Sequence, residues 1–142
     1  MAAGSFVLDR VTKLLVLHFL SGSVPVIPNV FHLTLVHNHG IAFGLFSQMR
    51  WVLLVVVSIS LALIFWMAHR PGFRNTRDQW VFGLILGGAA GNWLDRVQYG
   101  AVIDFLDFRI WPVFNAADSA ISIGVGIYLL YLLRSSASKQ SV

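Results

Sequence analysis

Trp51 to Ala68 runs for eighteen residues without a charge. At about 1.5 Å rise per residue, a helix of that length crosses most of a hydrocarbon core about 30 Å thick. The rest of the chain fits the same solvent. Of 142 residues, 57% are apolar and 11% charged, with a mean hydropathy of +0.75, which is outside the range of an ordinary soluble domain. Gln79 to Leu94 and Ile110 to Leu133 supply two further spans, with Pro112 read as lying in the first turn of the latter. Residues 2 to 20 form a fourth, weaker candidate around Asp9, Arg10 and Lys13, in which Asp9 and Lys13 stand at i,i+4 and can neutralise one another.

Loop charge orients these spans. Arg70, Arg74 and Arg77 lie in the loop between the second and third, and Arg134 and Lys139 in the tail; by the positive-inside rule both segments are cytoplasmic. Residues 21 to about 50 and about 98 to 112 then face outward. Trp51, Trp66, Trp80, Trp93 and Trp111 fall near span ends, as an interfacial aromatic belt requires. In the outer segment Phe31, Leu33 and Leu35 alternate with His32, Thr34 and Val36, and Asn38, His39 and Gly40 supply turn chemistry. A short β-hairpin or small sheet is expected there. The expectation is an all-α membrane protein: four transmembrane helices with a small extracytoplasmic hairpin or sheet, in one domain over 1–142. No cleavable signal is expected, because the positive charges lie inside the first apolar run.

Composition excludes several chemistries. The chain has no Cys, which removes thiol nucleophiles, disulfides and Cys-ligated zinc. It has no Glu, which removes the HExxH motif, and its only Lys are Lys13 and Lys139, which leaves few ways to build a Ser/Lys dyad. The ten Lys and Arg give a formal charge of +4 but are scattered among apolar runs, so the basic excess speaks for topology and anionic headgroups rather than nucleic acid. His32, His37 and His39 lack a supporting carboxylate or Cys and make a poor metal set.

Carboxylates remain. Asp104 and Asp118 flank the outer mouth of the last hydrophobic segment, where an ionised group costs a few kcal/mol or more. Two like charges in a poorly hydrated site share a proton, so one can deprotonate water while the other donates a hydrogen bond to a carbonyl. That is the logic of an aspartic peptidase. Asn115, Asp118, Ser119 and Ser122 fall at i, i+3, i+4 and i+7 and turn one polar stripe towards the bundle. Spacing alone leaves the partner of Asp118 open among Asp95, Asp104 and Asp107. In the third span Gly83, Gly87 and Gly91 form a stripe for close helix packing. Gly88, Asn92 and Arg96 share a neighbouring face, where Asp95 and Arg96 are expected to form structural ion pairs or hydrogen bonds.

Five ordered blocks, DRVTK (9–13), NHGIAF (38–43), GGAAGNWLDR (87–96), VIDFLDF (102–108) and FNAADSAI (114–121), resemble those of lipoprotein signal peptidase, also called signal peptidase II, over nearly the whole chain. The resemblance implies a four-helix aspartic endopeptidase of the bacterial inner membrane with both termini cytoplasmic. Such an enzyme removes prolipoprotein signal peptides by cutting before the diacylglyceryl-modified Cys. It implies the dyad Asp104 and Asp118, with Asn38, Gly40, Asn92, Arg96 and Asn115 positioning substrate or dyad and Asp9 and Lys13 as a supporting pair. Metal and cofactor are not expected; the partners are the lipidated substrate and membrane lipids, and a monomer is expected. Only eight residues precede Asp9, which implies a short first helix or a start farther upstream. The short stretch from Asp104 to Asp118 implies a tight loop and narrow access. The rival from another class is a small proton-coupled transporter or channel subunit with intramembrane carboxylates.

Overall fold

The computed structural model describes residues 1–40, 50–70 and 75–140. Among these residues the chain order is α1 (Ala2–Phe19), β1 (Ser23–Ile27), β2 (Phe31–Asn38), α2 (Arg50–Ala68), α3 (Thr76–Gln98), β3 (Val102–Asp107) and α4 (Ala116–Gln140). The strands form one antiparallel sheet in the order β1-β2-β3. The protein is thus mostly helical with a small sheet, and β3 is a strand that hydropathy does not announce. The expected hairpin exists, but its turn lies earlier than the Asn-His-Gly signal. Asn29 takes φ of +62°, a left-handed conformation Asn tolerates, and Val30 N–H donates to the Ile27 carbonyl at 3.1 Å. Asn38 instead ends β2, and its side-chain oxygen accepts Gly40 N–H at 3.0 Å. Residues 41–43 of the NHGIAF block, and Arg74, lie outside the described residues.

Two helix starts follow from capping. Asn75 accepts the Asp78 N–H at 2.8 Å and opens α3 three residues before Gln79. The expectation of a helix from Ile110 is corrected, since α4 begins at Ala116. Phe114 exchanges backbone hydrogen bonds with Leu106 (2.8 and 3.1 Å), which holds the segment extended across β3. Asn115 then caps the helix by accepting Asp118 N–H at 2.9 Å, and the Asp118 carboxylate accepts Asn115 N–H at 3.4 Å in return. Pro112 therefore lies in the preceding loop rather than in a helical turn.

Helix α3 is the hub. A Cβ at Gly83 would meet Met1 and Ala2, at Gly87 Ser5 and Ala2, and at Gly91 the Asp9 carboxylate, so this stripe admits α1 at backbone distance. A Cβ at Gly88 would come within 2.6 Å of the Ala117 carbonyl, and Gly124 of α4 faces Val81 and Ile85. Polarity is inverted relative to a water-soluble fold. Lys13, Asp9, Asp95, Asp104 and Asn115 are among the largest fully buried side chains, whereas Trp51, Val55, Ile59, Phe65, Leu129 and Leu133 are more than half exposed. Among the described residues two helices, Trp51–Ala68 and Ala116–Arg134, are long and apolar enough to cross a membrane, with mean hydropathies of 2.5 and 1.7. α1 carries Asp9, Arg10 and Lys13, and α3 carries Arg77, Asp78, Asp95 and Arg96 beside Gln79, Asn92 and four glycines, and neither helix meets that mark.

Candidate active site

The structure selects among the three carboxylates that spacing leaves open. Asp104 and Asp107 stand three residues apart in β3 and therefore point to opposite faces. Asp107 accepts Thr34 Oγ1 at 2.8 Å and the Arg109 side chain at 3.2 Å; above all, the Arg109 N–H at 2.9 Å holds its carboxyl below the usual range. Asp95 pairs with Lys13 at 2.6 Å and with Arg10. Asp104 shares a cavity with Asp118.

Two carboxamides join these two aspartates. Asn115 Nδ2 donates to Asp104 Oδ1 at 2.6 Å, while Asn92 Nδ2 donates to Asp118 Oδ1 at 2.7 Å. Asn115 Nδ2 also donates to Asn92 Oδ1 at 3.1 Å, which closes a chain from one carboxyl to the other. The remaining oxygen of Asp104 accepts Asn38 Nδ2 at 2.9 Å, across the β2–β3 ladder from the diagonal position. Lys13 Nζ donates to Asn92 Oδ1 at 2.8 Å and thereby keeps the amide nitrogen turned towards Asp118. Arg96 donates to the Gly40 carbonyl at 3.1 Å and to the Asn92 carbonyl at 3.3 Å.

These groups open on a cavity of about 230 Å³ lined by Asn38, Gly40, Asn92, Arg96, Asp104 and Asp118, with Trp111, Pro112, Val113 and Phe114 as its outer wall. A second, apolar groove of about 590 Å³ meets the first at Asp118 and runs along Ser119, Ser122 and Ile123 beneath Phe108, Ile110, Trp111 and Phe114. A larger apolar groove of about 1120 Å³ between α1, α2 and α3 is lined by no carboxylate among the described residues. Of the residues picked from the sequence, Asn38, Gly40, Asn92, Arg96, Asn115, Asp104 and Asp118 thus converge, whereas Asp9 and Lys13 lie behind them. Asp9 and Lys13 pair at 3.0 Å, but within a cluster of four charges that includes Arg10 and Asp95. From sequence Asp95 stays open between a partner of Asp118 and a structural ion-pair residue; its place in the cluster becomes visible once α1 is packed on α3. Among the described residues no metal-ligating cluster forms, and His32 instead shares a hydrogen bond with Ser23 at 3.3 Å.

Burial pushes the Asp104 carboxyl up from an ordinary 3.8 to about 7, the Asp118 charge adding to it and the Asn38 and Asn115 hydrogen bonds opposing it. The folded protein therefore holds more protons than the unfolded chain between these values. The associated stability is complete below the unfolded value and is lost as pH rises through about 7. Asp104→Asn removes the charge that forms on that rise. The melting temperature of this variant relative to wild type is expected to increase between about pH 5 and about pH 8, measured in detergent. Parallel curves would show that Asp104 ionises as freely in the fold as in water.

The sequence matches the family model described as signal peptidase (SPase) II over residues 1–134. It is 48% identical over 129 residues to the lipoprotein signal peptidase of Halothermothrix orenii, covering 88% of this chain and 87% of that one. It is 42% identical over 133 residues to that of Brevibacillus brevis, covering 91% and 89%. Two solved bacterial membrane enzymes share the fold. One has a TM-score of 0.90 at 31% identity, over 97% of this chain and 88% of that one; the other has 0.83 at 32%, over 93% and 89%. The chain is a peptidase and belongs to the signal peptidase II family.

Proposed function

We propose that the protein removes signal peptides from prolipoproteins by cutting before the diacylglyceryl-modified cysteine, with Asp104 and Asp118 as its catalytic dyad. The observation that carries this reading is the pair of carboxyls bridged through Asn92 and Asn115 at a cavity that continues into an apolar groove. Asp104, which burial favours in its neutral form, donates a hydrogen bond to the scissile carbonyl. Asp118 takes a proton from the water attacking that carbonyl, and Asp104 then gives its own proton to the leaving amine. Asn38 and Asn115 aim Asp104, Asn92 aims Asp118, and Arg96 with the Gly40 carbonyl forms the wall along which substrate backbone lies. The groove beside Asp118 takes the lipid chains, so the substrate never leaves the bilayer. The chain acts as a single domain and as a monomer, without metal or cofactor. The family match gives the proton-coupled transporter no support.

The test is cleavage of a lipidated prolipoprotein peptide by the purified chain in detergent with a chelator present, read as product masses. A cut before the lipidated cysteine is expected. No cut, or an equal cut in a peptide lacking the lipid, would contradict the reading.

All four helices are proposed to cross the inner membrane with both termini cytoplasmic, the sheet and dyad lying at the outer face. The Arg-rich loop between α2 and α3 and the basic tail support this orientation. α1 and α3 pass despite their charges because those of Asp9, Arg10, Lys13 and Asp95 are paired inside the bundle. Reporter fusions at residue 75 and after the tail should read cytoplasmic, and fusions near residues 30 and 106 extracytoplasmic. A cytoplasmic signal at residue 106 would put the dyad on the wrong side for a secreted substrate.

A further inference from the structure

The buried cluster of Asp9, Arg10, Lys13 and Asp95 is balanced, with two carboxylates and two cations, and each carboxylate also reaches a backbone amide. Asp9 Oδ1 accepts the N–H of Ala117 at 3.1 Å, while its Oδ2 faces Lys13 and Arg10. Asp95 Oδ2 accepts the N–H of Ile103 at 3.1 Å together with Lys13 Nζ. Ala117 immediately precedes Asp118, and Ile103 immediately precedes Asp104. The strand and the helix that carry the dyad are also joined through the eight-residue loop 108 to 115, in which Phe114 pairs with Leu106 and Asn115 donates to the Ile103 carbonyl and to Asp104.

We propose that Asp9 and Asp95 are positioning residues that set the separation of the dyad, each fixing the backbone immediately before one catalytic aspartate. Lys13 and Arg10 hold the two clamps at a fixed distance by sitting between them. A carboxylate neutralised by one buried and one half-buried cation keeps its oxygens in place, and a backbone anchored one residue away transmits that placement through a single Cα. Gly91 supports the arrangement, since a side chain there would collide with the Asp9 carboxylate. The inference rests on the dyad reading above.

Charge and anchoring can be separated. Arg10→Met with Asp95→Asn keeps the cluster neutral, as Asp9 and Lys13 remain paired, and retains an oxygen for the Ile103 amide. Arg10→Met with Asp95→Leu is equally neutral but has no acceptor. Cleavage of the lipidated peptide should be within about tenfold of wild type for the asparagine pair. For the leucine pair kcat should fall by a further factor on the order of 100, as a misplacement near 1 Å produces, with KM within about threefold and a similar melting temperature. If the leucine pair does not fold, Arg10→Met with Asp95→Ala carries the same expectation. Equal kcat in the acceptor-keeping and acceptor-free variants overturns the clamp. Asp104→Asn, assayed alongside, separates this failure from the other: full activity in that variant would remove the dyad reading itself, and the clamp with it.

Discussion

Asp104→Asn and Asp118→Asn are each expected to lower kcat for lipidated prolipoprotein by about 10⁴-fold or more, with KM little changed. An amide preserves volume, and its one oxygen can still accept a hydrogen bond, from Asn38 or Asn115 at position 104 and from Asn92 at position 118, so the cavity is largely retained. It can neither take the proton of the attacking water nor return one to the amine. Asp107→Asn should stay within about tenfold of wild type, because its carboxylate serves Thr34 and Arg109 on the opposite face of β3. Single-turnover cleavage followed by mass measures all three. Turnover near wild type in either dyad variant would show that the bridged carboxyls are not the catalytic pair.

The second large effect lies in the ion cluster. Asp9→Asn and Lys13→Met each strand a charge in a site that is almost fully buried, and loss of one partner of a buried pair costs about 3 to 5 kcal/mol. The double variant leaves Arg10 with Asp95, again neutral, and the carboxamide introduced by Asp9→Asn retains an oxygen for the Ala117 amide. It should therefore lie well above the sum of the single losses, as a double-mutant cycle in melting free energy detects. Its kcat should still drop, by about tenfold, because Asn92 has lost the ammonium that fixes its amide. Strict additivity would mean that Asp9 and Lys13 do not interact.

Much of this site is legible in the sequence because membrane burial makes polar residues conspicuous. The stripe of Asn115, Asp118, Ser119 and Ser122 announces the inward face of α4, and the glycine stripe of α3 announces where a neighbouring helix packs. What stays hidden is carried by tertiary contacts. β3 reads as part of an outer loop because its strand pairing is supplied by β2, about 70 residues earlier in the chain, while neighbouring Phe108 and Ile110 blur its polarity. The true start of α4 depends on Asn115 acting as a cap, a role that continuous hydropathy from Ile110 conceals. The choice among Asp95, Asp104 and Asp107 needs two facts that spacing does not contain, the faces that Asp104 and Asp107 present in β3 and the packing of Lys13 against Asp95 of α3.

Asp104 and Asp118 should hold one proton between them at neutral pH, and infrared difference spectroscopy tests this most directly. In detergent at about pH 6, wild type minus Asp104→Asn should show the carbonyl band of one protonated carboxylic acid, fading as pH rises through about 7 in step with the alkaline fall in kcat/KM. A difference spectrum with no neutral-acid band at that pH would mean that Asp104 does not hold the proton, and would contradict the account.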